Sequence, residues 1–458
     1  MSSQLNPDWL QQALQSLLSH HDALRLRFQN TELGWYQHHG SIEDLPLQVQ
    51  DLSGLEPRKQ KAILEQESAT CQASLQVSEG SLLQGILFQR GENQSSYLLL
   101  VIHHLVVDGV SWRILLEDLS QGYTQLQQGR SVQLPAKTTS FKAWACRLQA
   151  YATSTLLREE LAYWQGQKAA TVSPVSLPLD FGTEMENIQE TAAQVMITLS
   201  AEETQTLLQA VPAVYNTQIN DVLLTALVQG FSSWMGVRSL CIDLEGHGRE
   251  DLFEDVDLSR TVGWFTTLFP VVLHLEDAAG PGEALKSVKE QLRQLPHRGI
   301  GYGVLKYLHP DKAVRQSLRQ LPPAPISFNY LGQFDQLQAL ELESGLLLGL
   351  ASESAGANRH PKGRRSHLLE ISGRVMDGQL QMEWSYSQKL HRSTTIESLA
   401  NHFKQSLLTL IDHCLDPAAG GFTPSDFPLA NLDEQQLDQV TTLLQELTLL
   451  EELNNAGD

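Results

Sequence analysis

Apolar positions along this chain recur with two periods, and the two alternate from one end to the other. Over Pro7–Leu18 the spacing is helical: Trp9, Leu10, Leu14, Leu17 and Leu18 form one stripe, and Pro7 suits a first turn. Leu24, Leu26 and Phe28 then alternate with Arg25 and Arg27, as in a strand with one buried face. His20 and His21, just before it, read as a solvated helix end. Residues 56–74 predict a helix. LLQGILFQR and SSYLLLVIHHLVV predict a strand pair across the turn-like GENQ. Residues 112–128 place Trp112, Leu115, Leu116, Leu119, Tyr123 and Leu126 at helical spacing, and a further helix over 141–166 carries an aromatic stripe that reads as core.

The second half repeats the mixture. Ser200, with Glu203 three positions on, marks the start of a helix through a capping box. TQINDVLLTALVQGFSSWM predicts a strongly apolar helix and GEALKSVKEQLRQL an amphipathic one. SLCIDLEGHGRE, TTLFPVVLHLE and APISFNYLGQF predict strands, with Pro270 placing the second at an edge or bulge. SHLLEISGRVMDGQLQMEWSYS predicts a hairpin across Asp377–Gly378, and TIESLANHFKQSLLTLIDHCL a closing helix. Residues 171–190, with two prolines and no periodicity, read as a linker. The expected organisation is an α/β (α+β) lobe over residues 1–170, that linker, a second lobe over 191–425, and a C-terminal segment over 426–458. In that segment Leu437, Val440, Leu443, Leu444, Leu447 and Leu450 form one stripe, either packing on its own lobe or docking another chain.

Composition narrows the function class. Hydrophobic residues at 41% and charged residues at 19% belong to a folded chain with large cores. A formal net charge of -21 argues against nucleic acid or an anionic membrane as the main partner, since both need a concentrated positive field. Cys71, Cys146, Cys241 and Cys414 make no CxxC pair, which points to neither a disulfide framework nor a zinc site. With no signal-peptide pattern and no apolar run of about 20 residues, a soluble cytoplasmic protein is expected.

Two stretches carry candidate chemistry. In the first, His103 and His104 interrupt an apolar run that ends at the turn Asp108–Gly109. Successive strand residues face opposite ways, so a continuing strand gives one histidine to a cleft and the other to packing. His104, nearer the turn, is assigned the chemistry and His103 the structural role. Asp108 either reaches the same cleft as an acid or base, or holds the turn, caps the helix or pairs with an arginine; the structural role is favoured. Ser111 reads as an N-cap. In the second stretch, Cys241, Asp243 and Glu245 share one face, and Glu245 stands where the strand gives way to glycines. Glu245 is either an acid–base group or the partner of Arg249 or Arg260. A metal held by His104, Glu245 and His247 lacks a ligand set of diagnostic spacing, so no metal is expected. GIGYG is a turn and not a phosphate loop. Only one of Asn329 and Tyr330 can face a cleft unless the strand bulges. Residues 359–365, RHPKGRR, are the one basic cluster, read as a solvated loop or as a docking site for an acidic partner or a phosphate.

Together these stretches resemble the condensation-domain superfamily of nonribosomal peptide synthetases. HHLVVDGVSW resembles its HHxxxDG signature. NDVLLTALVQG, LEGHGRE, RTVGWFTTLFP, HRGIGYG and FNYLGQF resemble, in order, the motif set of the epimerization domains within it. The likeness runs as far as FTPSDFPLANLD. It implies two chloramphenicol-acetyltransferase-like lobes forming a V-shaped pseudodimer with a central tunnel. It implies His104 and Glu245 facing each other as the catalytic pair, with His103, Asp108, Gly109, Asn329 and Tyr330 in support. The implied substrate is an aminoacyl or peptidyl thioester on the 4'-phosphopantetheine arm of an upstream peptidyl carrier domain, with no cofactor of the protein's own. The C-terminal helix would then meet a downstream condensation domain. A motif like PIQxWF, usual at the family's start, has no counterpart here, and its loss is expected to open a sheet edge.

Overall fold

The two largest of four cores among the described residues organise the molecule, each packed on one face of a sheet. A computed structural model describes residues 5–443, apart from 33, 43–46, 92–93, 172–176, 183–184, 276–279, 334–339, 342–346, 349–350, 352, 431, 434, 438 and 441. The first half runs α1 (Pro7–His20), β1 (Leu26–Thr31), β2 (Gly34–His39), β3 (Leu47–Asp51), α2 (Pro57–Ala73), β4 (Leu83–Gln89), β5 (Tyr97–Ile102), α3 (Gly109–Gln127), α4 (Phe141–Tyr151) and α5 (Thr155–Thr171). The second half opens with β6 (Ala192–Thr198), α6 (Ala201–Gln209), α7 (Val211–Tyr215), α8 (Ile219–Met235), β7 (Ser239–Gly246), β8 (Thr267–His274), α9 (Pro281–Arg293), α10 (Ile300–Gly303) and α11 (Lys312–Arg319). It closes with β9 (Ile326–Gln333), the short β10 (Leu340–Glu341) and β11 (Leu347–Leu348), β12 (Leu369–Met376), β13 (Gln379–Ser387) and α12 (Ser393–Leu415).

In the first half, β3, β4 and β5 form a three-stranded sheet with β4 in the centre, and β1 pairs with β2 separately. Leu10, Leu14 and Leu17 of α1 and Leu115 and Leu119 of α3 pack together as one core. The strand expected through Leu24, Leu26 and Phe28 is split. Asp22–Arg25 form a 3₁₀ turn, and only from Leu26 does the chain extend. His21 is also not solvated. It is buried, with Nε2 2.9 Å from Asp118 Oδ2 on α3. The expected helix over 141–166 is two helices. Ser154 interrupts it, its Oγ accepting from Leu157 N–H at 3.2 Å to start α5.

The second half is built on a six-stranded sheet in the order β6-β13-β12-β9-β7-β8. Its inner face carries Leu240, Ile242 and Leu244 of β7, Ile326 and Phe328 of β9, and Leu369 and Ile371 of β12. Helix α8 is apolar nearly all round because the sheet covers one side and α12 the other. Gly230 permits the close helix contact, since a Cβ there would lie 2.9 Å from Phe403 N of α12. Pro270 lies on β8, at the sheet edge, where no ladder donor is needed. The Ser200–Glu203 capping box forms as expected. The β12–β13 hairpin turns at Asp377 and Gly378, with φ of 53° and 71°. Tyr151, Leu157 and Trp164 pack into this larger core, so α5 lies with the second half. Arg365 departs from the expected solvated loop. Its guanidinium is buried, 3.4 Å from Glu370 and bonded to Ser385 Oγ at 3.0 Å.

A strap from the second half, residues 247–266, fastens the two halves together. Arg249 reaches helix α3, its Nη2 lying 3.1 and 3.2 Å from the Asp108 carboxylate and 3.1 Å from Ser111 Oγ. Its Nη1 donates to the carbonyls of Leu258 and Thr261 at 3.0 and 2.7 Å, and its guanidinium stacks on Phe265 at 3.9 Å. Arg260 pairs with Glu117 and Asp118 at 3.0 and 2.5 Å, Thr139 N–H donates to Asp257 C=O at 2.9 Å, and Asp257 N–H donates to Thr139 Oγ1 at 3.0 Å. Beyond the sheet, residues 423–427 form a second clamp. Asp426 accepts twice from the buried Lys289 ammonium at 2.7 Å, and Lys289 also donates to Tyr215 C=O at 2.8 Å. Of the C-terminal stripe, Leu437 is buried and Val440 and Leu443 are exposed, while Leu444, Leu447 and Leu450 lie outside the described residues.

Removing one partner of a buried ion pair leaves an uncompensated charge and costs about 3–5 kcal/mol. Arg249→Met is therefore expected to lower unfolding stability by about that amount. A shift of the chemical-denaturation midpoint checks it, and a wild-type midpoint would show that the strap does not depend on this pair.

Candidate functional site

Between the strap, the end of β5 and the C-terminal ends of β7 and β9 lies a cavity of about 940 Å³. Among its walls are His104, Gly109, Arg113, Glu245, Glu250, Arg298, Asn329 and Tyr330. Both candidate stretches therefore meet in one space, although His104 and Glu245 lie 141 positions apart in the chain.

His104 arrives there by a route that alternation does not describe. Strand β5 stops at Ile102, and His104–Val106 form a 3₁₀ turn. The two histidines are thus not strand neighbours on opposite faces. His103 caps the turn, its Nδ1 accepting from Leu105 N–H at 3.1 Å, and is half-buried. Burial and the adjacent His104 draw its pKa down. His104 is exposed to the cavity, with its ring centroid 4.9 Å from that of Trp264. Val106 and Val107, which read as strand, fill the first core instead.

Asp108 is committed to structure. It is the N-cap of α3, accepting from Ser111 N–H at 2.8 Å, and it also accepts from Phe265 N–H at 3.1 Å and from Arg249. Ser111, expected to be that cap, lies three residues inside the helix. Its Oγ accepts from Gly263 N–H at 3.1 Å and donates to Gly263 C=O at 2.9 Å. Gly109 is the first helical residue, and a Cβ there would meet nothing within 4 Å, so its lack of a side chain keeps the cavity wall open.

Glu245 follows from strand geometry. In β7 the apolar Leu240, Ile242 and Leu244 face the core, which turns Cys241, Asp243 and Glu245 outward. Pairing of Asp243 with Ser327 and Leu244 with Phe328 in parallel β9 brings Glu245 level with Asn329. Asn329 Nδ2 donates to Glu245 Oε2 at 2.5 Å. Neither arginine considered as its partner reaches it. Arg249 serves Asp108, and Arg260 serves Glu117 and Asp118. Glu245 opens on the cavity yet is crowded by protein. Burial pushes its carboxyl above the ordinary carboxylate value, while His104, His367 and Arg359 pull against that rise. Beneath it, Asp243 Oδ2 lies 2.8 Å from His367 Nε2.

Asn329 and Tyr330 both line the cavity. The regular β9–β12 pairing breaks after Tyr330, between Gly373 and Val375, and Gly332 has φ of 85°. Burial raises the Tyr330 phenol.

Sequence spacing did not reveal three other features. Arg249 as the partner of Asp108 is a contact between distant segments. Glu250 stands at the cavity wall with its carboxyl raised by burial, 3.4 Å from His247 and 3.7 Å from Arg298. Arg298 is placed by an unusual turn in which His297, Arg298 and Gly299 have φ of 42°, 51° and 84°. A buried Glu160 carboxylate 2.7 Å from His297 Nδ1 holds that turn. The turn expected over GIGYG is confined to its start: the chain turns at His297–Gly299 and continues from Ile300 as helix α10, and the glycines make room, since a Cβ on Gly299 would lie 2.3 Å from the Phe269 ring.

The residues do not favour a metal at this site. His247 is engaged by Glu250 and, through Nδ1, by Arg249 N–H at 3.0 Å. Among the described residues, the grouping close enough to share an ion is His20, His21 and Asp118, where Arg260 already holds Asp118.

Comparisons with known proteins agree on the kind of domain. The Condensation domain family model matches residues 1–432. A linear gramicidin synthase polypeptide of Brevibacillus parabrevis is 48% identical over 433 residues, which cover 94% of this chain and 6% of that protein. The chain spans only 6–8% of the three linear gramicidin synthase polypeptides it matches. Among solved structures, the epimerization domain from the third module of tyrocidine synthetase B is similar at a TM-score of 0.83 and 35% identity, over 91% of each chain. The first condensation domain of the calcium-dependent antibiotic synthetase, at 19% identity and a TM-score of 0.63 over 92% of this chain and 91% of that one, shares the fold.

The Asn329–Glu245 bond stabilises the ionised carboxylate, so its loss favours the neutral form. In Asn329→Ala the pH at which Glu245 titrates is expected to rise further above the ordinary carboxylate range. Carboxyl ¹³C NMR, assigned through Glu245→Gln, reads the midpoint, and an unmoved or lowered midpoint contradicts the assignment.

Proposed function

This chain belongs to the condensation-domain family, and from that premise we propose that it equilibrates L and D configuration at the Cα of an aminoacyl or peptidyl thioester. The substrate is carried on the phosphopantetheine arm of a carrier domain. The observation that supports this reading is the meeting of His104, from the first half, with Glu245, from the second, in a single cavity. The similarity to a solved epimerization domain supports it from outside the chain.

Sulfur donates poorly into a carbonyl, so a thioester makes its α-proton more acidic than an ester or amide does. It remains a weak acid. Inverting Cα then needs a base on one face, a proton source on the other, and stabilisation of charge on the carbonyl oxygen between the two transfers. His104 and Glu245 supply the two proton-transfer groups. Asn329 holds the Glu245 carboxylate through Oε2. The raised Glu245 carboxyl is closer to neutrality than an ordinary carboxyl and therefore better matched to exchanging a proton near physiological pH. Tyr330, kept neutral by burial, is a donor suited to the carbonyl oxygen.

The cavity fits the arm on two counts. Its volume of about 940 Å³ lies within the range of roughly 300–1,000 Å³ common to small-molecule sites. Two of its cations, Arg113 and Arg298, are only loosely paired, with their nearest carboxylates 3.8 and 3.7 Å away, and would hold the phosphate. The arm supplies the thioester linkage, and the proton transfers belong to the side chains.

The test loads a carrier domain with an aminoacyl-pantetheine thioester, adds this protein in D₂O and follows Cα deuterium and chirality. Deuterium uptake with a mixed D/L product is expected. Positioned acid–base groups contribute about 10²–10⁴-fold, so Glu245→Gln and His104→Ala should each lower exchange by that order. The rate should rise with pH through the elevated titration of Glu245 in whichever direction uses its carboxylate as base, because the protonated form cannot accept. A new amide in place of exchange, when an acceptor amine is offered, identifies peptide-bond formation, and full exchange in Glu245→Gln removes it from the mechanism.

A further inference from the structure

We propose that Trp264, from the strap, is the positioning residue that holds the His104 imidazole for proton transfer. The inference rests on the function proposed above. A working histidine is commonly oriented by a hydrogen bond from the ring nitrogen that faces away from the substrate. Here Asp108, the nearby carboxylate, serves Arg249, the α3 cap and Phe265 N–H. Among the described residues, the ring partner of His104 is instead the indole of Trp264, with centroids 4.9 Å apart and planes inclined at 56°. Orientation by packing leaves both imidazole nitrogens to the reaction. One takes or gives the proton at Cα, and the other exchanges with solvent.

The placement of Trp264 is over-determined by its neighbours. Gly263 is tied through both its N–H and its C=O to Ser111 Oγ, at 3.1 and 2.9 Å. A side chain at Gly263 has no room, because a Cβ would lie 2.4 Å from the Phe141 ring. Phe265 donates its N–H to Asp108 at 3.1 Å, and its ring lies edge-on to Phe141 at 5.1 Å and under Arg249 at 3.9 Å. Both flanking residues are buried, whereas Trp264 is 43% exposed. The indole keeps only part of its surface from water, so its burial contributes less than complete burial would. What the pinned backbone does secure is the position of a large rigid ring against His104. An aromatic face also tolerates both forms of the imidazole, since it packs against the neutral ring and attracts the cationic one. The contact joins the two halves of the molecule, so the orientation of His104 depends on the seating of the strap.

Trp264→Leu and Trp264→Gln remove the aromatic face, and Trp264→Phe keeps one. In the loaded-carrier exchange assay, Leu and Gln are expected to lower kcat about 10- to 100-fold, the scale of a misplaced catalytic group, with KM for the loaded carrier within about twofold. Phe should recover most of the loss. In NMR of the free protein, the ring-current shift of the His104 imidazole protons should vanish in Leu and Gln and persist in Phe. Wild-type kcat in the Leu and Gln variants, or a loss carried by KM alone, overturns the proposal. Should the wild-type protein show no exchange, the functional reading fails by itself. The NMR comparison then decides the contact: unchanged His104 signals in Leu and Gln overturn it, and the loss of shift sustains it.

Discussion

The pair formed by Asp108 and Arg249 is the constraint on which the site depends. It joins a helix N-terminus of one half to a loop of the other, with both side chains almost fully buried. A bare carboxylate or guanidinium in that position would be costly. The pair persists because most of its remaining lone pairs and protons are used, by the α3 cap, Phe265 N–H, two strap carbonyls and Ser111, with the Arg249 Nε left unpartnered. Geometry at one end is therefore geometry at the other. Moving the strap moves the start of α3, and the start of α3 directly follows the turn that bears His104.

The reacting groups lie just outside this locked network. Asp108, Ser111 and Arg249 are engaged with one another, whereas His104 and Glu245 open on the cavity. The same division runs across the six-stranded sheet. Its inner face is closed by Leu240, Ile242 and Leu244, and its outer face carries Asp243 and Glu245, partnered by His367 and Asn329. Placing an acid on a strand edge between a rigid core and an open cleft fixes its backbone while leaving its proton exchangeable. Crowding supplies the rest, since it disfavours the charged carboxylate without denying it access to substrate.

Local chemistry was legible in the sequence where one period or one spacing decides the outcome. The β7 face that presents Glu245, the Ser200 capping box, the Asp377–Gly378 hairpin and the edge position of Pro270 all follow from rules acting within a few residues. The run from Leu98 to Val107 was not, because a short apolar stretch looks the same whether it continues as a strand or turns into the core. The 3₁₀ turn at His104 therefore could not be told from strand. Charge partners were also hidden. His21 with Asp118, Arg249 with Asp108 and Arg365 in its buried pocket are matched by tertiary folding, and spacing along the chain carries no record of it. Glu245 and His104 were brought together by resemblance and not by pattern, and their shared cavity is a property of two halves that no single stretch contains.

The clamp of Lys289 on Asp426 has a consequence for reach. Because residues 423–427 are fixed against α7 and α9, the acidic stretch beyond them starts from a set point on the surface. Whatever is carried beyond that anchor has an effective local concentration at this surface set by its distance along the chain from the anchor. The clamp therefore sets how often an attached partner meets this surface, with no change in the contacts it makes on arrival.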